Sequence, residues 1–70
     1  MLSMKDFTEE ILSCGRRVFS IDKLVSKDKS MATIIVLFND GERREETFKN
    51  NYSVKKNYGL LRKKVLNCYV

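Results

Sequence analysis

Histidine, proline and tryptophan are missing from this 70-residue sequence, and glycine occurs only three times. Without histidine, the Ser/His and Cys/His pairings that activate a nucleophile are excluded within one chain. Two cysteines cannot complete a four-ligand zinc site, so neither a metal nor another cofactor is expected. The glycines, at 15, 41 and 59, are too scattered to build a phosphate-cradling loop or a dinucleotide fingerprint. Carboxylates do not converge either. Glu9 and Glu10 lie about 100° apart on a helix, and Glu45 and Glu46 point to opposite faces of a strand. The sequence therefore predicts a protein without catalysis.

Long apolar runs are absent too. The longest, Ile34 to Phe38, falls far short of the roughly 20 residues that span a bilayer. Met1 to Asp6 lacks the apolar core of a signal peptide, which predicts an intracellular, cytoplasmic setting and no membrane partner. Cys14 and Cys68 are too few to staple a secreted scaffold. They read either as small apolar core residues or as a pair, the latter only if two terminal helices lie side by side.

What the sequence has is segregated charge. From Lys49 to Val70 there are six basic residues and no Asp or Glu, while the first 48 residues hold eight basic and nine acidic ones. The net charge of +5 thus belongs to one segment. Such segregation suits an anionic partner such as a phosphate backbone, a lipid headgroup or an acidic protein face.

The hydropathy pattern divides the chain into five elements. Ser3 to Ser13 has helical spacing, with Met4, Phe7, Ile11 and Cys14 on one stripe, Thr8 and Glu9 turned away, and Gly15 as a stop. The period becomes two from Arg17 to Val25, where Phe19, Ile21 and Val25 alternate with polar or outward residues. Residues 26–30 read as a polar loop. Met31 to Phe38 is the best strand, rich in β-branched residues. Asn39-Asp40-Gly41 then signals a hairpin, and Glu42 to Phe48 returns as a polar edge strand. From Tyr52 the helical period resumes, with Ser53 as expected N-cap and Val54, Tyr58, Leu61, Val65, Cys68 and Tyr69 on one stripe. Lys56 and Lys63 lie opposite, Lys55 and Arg62 on one flank. A helix break at Gly59 is the alternative.

This order predicts an α+β fold: a single-domain α-β-β-β-α two-layer sandwich, with a three-stranded antiparallel meander and two terminal helices. The central strand is apolar on both sides. Ala32, Ile34, Val36 and Phe38 form one row, and Met31, Thr33, Ile35 and Leu37 the other. One row is therefore expected to meet a second copy or another protein, and Ile34, Val36 and Phe38 are the candidate interface.

The same order, with the Asn39-Asp40-Gly41 turn, the short polar strand and Ser53-Val54-Lys55-Lys56, resembles the double-stranded RNA-binding domain. The similarity is best from Met31 onward. It implies a rigid block spanning two minor grooves and the major groove between them. By that resemblance Lys55 and Lys56 meet phosphates at a helix start, Lys27 and Lys29 enter one minor groove, and Thr8 or Glu9 reach 2′-hydroxyls in the other. Lys49, Arg62 and Lys63 extend the patch. The chain departs from the family pattern at Gly59, where a third lysine is usual, and in lacking a histidine in the first hairpin loop. The leading expectation is a binder of duplex RNA backbone. A homodimeric or protein-binding module acting through the apolar sheet face is the alternative.

Overall fold

The computed structural model describes residues 3–67, with side chains as far as Val65. Its element order is α1 (Met4–Ser13), β1 (Val18–Val25), β2 (Met31–Phe38), β3 (Arg43–Lys49) and α2 (Tyr52–Asn67). The fold is thus α-β-β-β-α, with three antiparallel strands in the order β1-β2-β3. Among the described residues no helix is long and apolar enough to cross a membrane.

Helix α1 starts where Ser3, in extended conformation, accepts the Asp6 amide on its Oγ at 3.1 Å. It ends before Gly15, whose φ of 73° is open to glycine at no steric cost. Its buried stripe is Met4, Phe7, Thr8 and Ile11. This corrects two expectations. Thr8 faces inward, and Cys14 is exposed, its thiol donating to the Ile11 carbonyl at 3.1 Å.

The sheet takes its register from a row of β2. Ala32, Ile34, Val36 and Phe38 point at the helices and join Phe7, Val54 and Leu61 in the core. Ile34 and Val36 are fully buried, which removes Ile34, Val36 and Phe38 from the role of an exposed interface. The opposite row, Met31, Thr33, Ile35 and Leu37, faces away from the helices and is only partly covered. The tight turn after β2 is closed by Gly41 donating to the Phe38 carbonyl at 3.1 Å, with Gly41 at φ 90°.

Strand β1 carries a bulge. Val18 pairs with Phe38 and Ser20 with Leu37, so Phe19 is the extra residue. The bulge sends Val18 into the core and leaves Phe19 70% exposed, where simple alternation had placed Phe19 inside.

The helices cover one face side by side and in parallel. Phe7 of α1 packs on Phe48 of β3, with ring centroids 5.8 Å apart. Tyr58 of α2 donates its hydroxyl to the Ile21 carbonyl of β1 at 3.4 Å. Near the helix starts, Lys5 lines the same cleft as Tyr52 and Leu60. Near the ends, Ile11 and Leu12 line a second cleft with Val65. Helix α2 runs through Gly59 without a break. Cys68 and Tyr69, assigned to its apolar stripe by periodicity, lie outside the described residues, as does the Cys14–Cys68 pairing.

Candidate nucleic-acid interface

The β1–β2 loop is held rigid by one carboxylate. Asp28 Oδ1 accepts from the Ser26 hydroxyl at 2.7 Å, the Ser30 hydroxyl at 2.7 Å and the Ser30 amide at 3.0 Å. The hydroxyls of Ser26 and Ser30, then the Ser30 amide, hold the Asp28 carboxyl down at about 2. Ser26 also accepts the Met31 amide on its Oγ at 3.1 Å. This network keeps Lys29 in the left-handed region at φ 62°, a conformation unusual for a residue with a β-carbon. Lys27 and Lys29 are thereby displayed on a fixed loop, both exposed.

Asn50 ties that loop to the start of α2. Its backbone amide donates to the Ser30 carbonyl at 2.9 Å, and its side-chain Nδ2 to the Lys29 carbonyl at 2.9 Å. One residue later Asn51 caps α2, its Oδ1 accepting the Val54 amide at 3.1 Å. The cap is therefore Asn51, not Ser53. Ser53 lies inside the helix and binds Asn57 instead, accepting Nδ2 on its carbonyl at 2.8 Å. Register places Lys49 opposite Met31, at the same end of the sheet.

Lys27, Lys29, Lys49, Lys55 and Lys56 thus share one end of the molecule, with Lys5 of the parallel α1 beside Lys56 across a cleft. All six are exposed. Both helices begin at this end, so both positive dipole ends point there, and the first turn of α2 contains no acid. Among the described residues no lysine forms an ion pair, whereas Arg16, Arg43 and Arg44 all do. Lys63 follows Lys56 by seven residues, two helical turns along the same exposed face.

Arg62 has a second role. Its guanidinium carbon sits 5.8 Å from the Tyr58 ring centroid, and Lys23 lies 5.3 Å from the same ring. Tyr58 is half-buried against the core and is thereby held between two cations.

Thr8 does not belong to the surface. It is 2% exposed, and its hydroxyl donates to the Met4 carbonyl at 2.8 Å. That bond and its burial leave it nothing to offer a ribose. The spacing Met4, Phe7, Thr8, Ile11 carries the signal, because i, i+3, i+4, i+7 is one helical face. Glu9, the next residue, is exposed on α1.

The other end of the molecule is electrostatically closed. Arg16 donates to Asp40 at 2.7 Å and lies over the Phe38 ring, 4.9 Å from its centroid. The Glu42 amide, and after it the Arg16 guanidinium, hold the Asp40 carboxyl below its usual range. Arg44 donates to Glu10, and this bond lowers the Glu10 pKa and raises that of Arg44. These ion pairs join residues 24 and 34 positions apart, a separation at which sequence spacing carries no signal.

No group of three or more metal-ligating side chains occurs among the described residues. Comparison with protein-family models, with curated proteins and with solved structures finds no match to this chain. The arrangement gathers several exposed ammonium groups at one end of the fold, with the Asp28 carboxylate in the same loop as Lys27 and Lys29 and Asp6 in the first turn of α1.

Proposed function

We propose that the protein is a non-catalytic binding module for nucleic-acid backbone, duplex RNA foremost, working through the lysine-rich end of the molecule. The observation that carries this reading is the pair of bonds from Asn50. They join the Lys27–Lys29 loop to the Lys55–Lys56 helix start and make one surface of two segments that are far apart in sequence. The resemblance in element order to the double-stranded RNA-binding domain favours a duplex over a single strand, since a rigid block of that kind reads shape and phosphates. Lys63 continues the surface along α2 with Arg62 beside it over the Tyr58 ring, and Glu9 stays exposed on α1.

Binding of this type is electrostatic. If about five phosphates are engaged, affinity falls roughly 500-fold over a fourfold rise in salt. Salt titrations with duplex RNA, duplex DNA and single-stranded RNA of equal length test the reading. The expected order is duplex RNA tightest. Equal binding to all three reduces the surface to nonspecific attraction, and no binding at low salt overturns it.

A second reading rests on the outer sheet face. There Leu24 of β1 pairs with Thr33 beside Met31, Ile35 and Leu37, and both Leu24 and Met31 are exposed. This row would meet a second copy or a protein partner. Ile35→Glu should abolish such association without unfolding the protein, because Ile35 lies outside the core.

A further inference from the structure

An open cleft of about 460 Å³ lies along the first half of α2, lined by Tyr52, Ser53, Lys56, Asn57 and Leu60, with Lys5 of α1 at its edge. Its chemistry is specific. Tyr52 is 77% exposed, and among the described residues its ring joins no ring pair or cation contact. Leu60, two turns further along α2, is 41% exposed and gives the cleft a second apolar surface. Lys5 and Lys56 supply two positive charges from different helices, and none of the lining residues is acidic.

Asn57 adds a directional group. Its Nδ2 is used twice, donating to the Ser53 carbonyl at 2.8 Å and to the Ser53 hydroxyl at 3.3 Å. These bonds orient the side chain, and among the described residues its Oδ1 accepts no hydrogen bond. A planar aromatic face, an apolar contact, an acceptor and two cations match a nucleobase carried on a phosphate.

We propose that this cleft holds one unpaired nucleotide. Its base stacks on Tyr52 and offers an N–H to Asn57 Oδ1, and its phosphate lies between Lys5 and Lys56. Stacking on an exposed aromatic tolerates any base, because every base has a flat face. The cleft shares Lys56 with the lysine-rich end, so a nucleotide there is continuous with a backbone bound along Lys27, Lys29 and Lys55. The inference rests on the nucleic-acid reading above and narrows it to a junction of duplex with single strand.

The test compares a blunt RNA duplex, the same duplex with a one-adenosine overhang, and the same overhang lacking its base. The overhang should bind about tenfold tighter than the blunt end, while the abasic overhang should match the blunt end. Tyr52→Ala should erase that difference and leave blunt-duplex affinity unchanged, and Tyr52→Phe should keep it. Tyr52 is largely solvated, so both variants should melt like the parent. Equal binding of blunt and overhang duplexes, or a preference that survives Tyr52→Ala, overturns the cleft while leaving duplex binding standing. If no duplex binds, the duplex reading fails and the cleft is judged on adenosine monophosphate followed by NMR. Upfield shifts of the Tyr52 ring protons with adenosine monophosphate, and none with ribose 5-phosphate, support it. The same response to both, or to neither, overturns it.

Discussion

Both ends of this molecule present cationic side chains, but they treat them in opposite ways. At the β2–β3 turn, arginines are matched to carboxylates: Arg16 to Asp40, and Arg44 of the neighbouring strand to Glu10 of α1. At the other end, Lys27, Lys29, Lys49, Lys55 and Lys56 are all exposed and, among the described residues, form no ion pair. The division follows from the side chains. A guanidinium donates through a planar fork that fits one carboxylate, whereas an ammonium is a compact point charge on a flexible stem. Among the described residues Arg16, Arg43 and Arg44 are held in ion pairs, whereas the lysines are not. Net charge alone, +5 over the chain, conceals this difference.

The comparison is broken most directly by charge reversal. Replacing Lys27, Lys29, Lys55 and Lys56 together with Glu should reduce duplex RNA binding more than a thousandfold at low salt. The thermal melt should hardly move, because exposed unpaired charges contribute little to stability. Arg44→Ala should do the reverse, lowering the melting temperature slightly and leaving RNA affinity almost intact. Equal loss of binding from both changes would erase the distinction between the ends. Filter binding and thermal unfolding on the two proteins decide it.

Next in size are changes to the frame that the ends share. Phe7 is fully buried, packs on Phe48 and supports Arg44 over its ring at 5.6 Å. Phe7→Ala should cost about 3–5 kcal/mol in urea unfolding, a large share of the stability of so small a domain. Ile34→Asp should unfold the chain outright instead of dissociating a dimer, since Ile34 faces the helices. A folded monomer from Ile34→Asp would contradict the placement of that row.

A smaller effect is set by pH. The Asp28 carboxyl is held at about 2 when folded, below its ordinary 3.8. A depressed carboxyl stabilises the loop above its unfolded value and loses that contribution as pH falls through the folded one. Loop order should therefore be intact above about pH 4 and decline toward pH 2. The check is the Asp28 side-chain carbon shift followed by NMR, together with the Ser30 amide. A midpoint near the ordinary value would mean the serine network does not hold in solution.

The smallest expected change is at Gly59. It has ordinary helical geometry, and nothing lies within 4 Å of an added β-carbon. Gly59→Ala should stabilise the protein by up to about 1 kcal/mol and leave binding unchanged. Gly59→Lys, which adds a cation on the exposed face between Lys56 and Lys63, should tighten duplex binding a few-fold. Calorimetry and a binding titration on the two variants separate the effects.

Much of the fold was legible because its signals are local. The Met4–Phe7–Ile11 spacing, the β-branched run of β2 and the Asn39-Asp40-Gly41 turn each lie within one segment. Three features were not legible, and each depends on a partner far away in the chain. The bulge at Phe19 exists only relative to Phe38 and Leu37. The choice of Ile34's row over Ile35's depends on which face the helices take, because both rows are apolar. The cleft needs Lys5 next to Tyr52, Asn57 and Leu60, which only parallel helices provide. The candidate lysines were visible as a cluster of charge, but their convergence with Lys27 and Lys29 hinged on Asn50, a residue without a motif. Thr8 was misplaced for a simpler reason: a threonine between Phe7 and Glu9 reads as polar, yet its hydroxyl is satisfied by its own helix.

The most direct test of the central claim is the slope of duplex RNA affinity against salt, measured on the parent and on Lys27→Ala, Lys29→Ala, Lys55→Ala and Lys56→Ala singly and combined. If the unpaired end is the binding surface, each removal should lower the slope by about one, and the combined change should sum them. An unchanged slope in the combined variant, or a parent that fails to bind duplex RNA even at low salt, would contradict it.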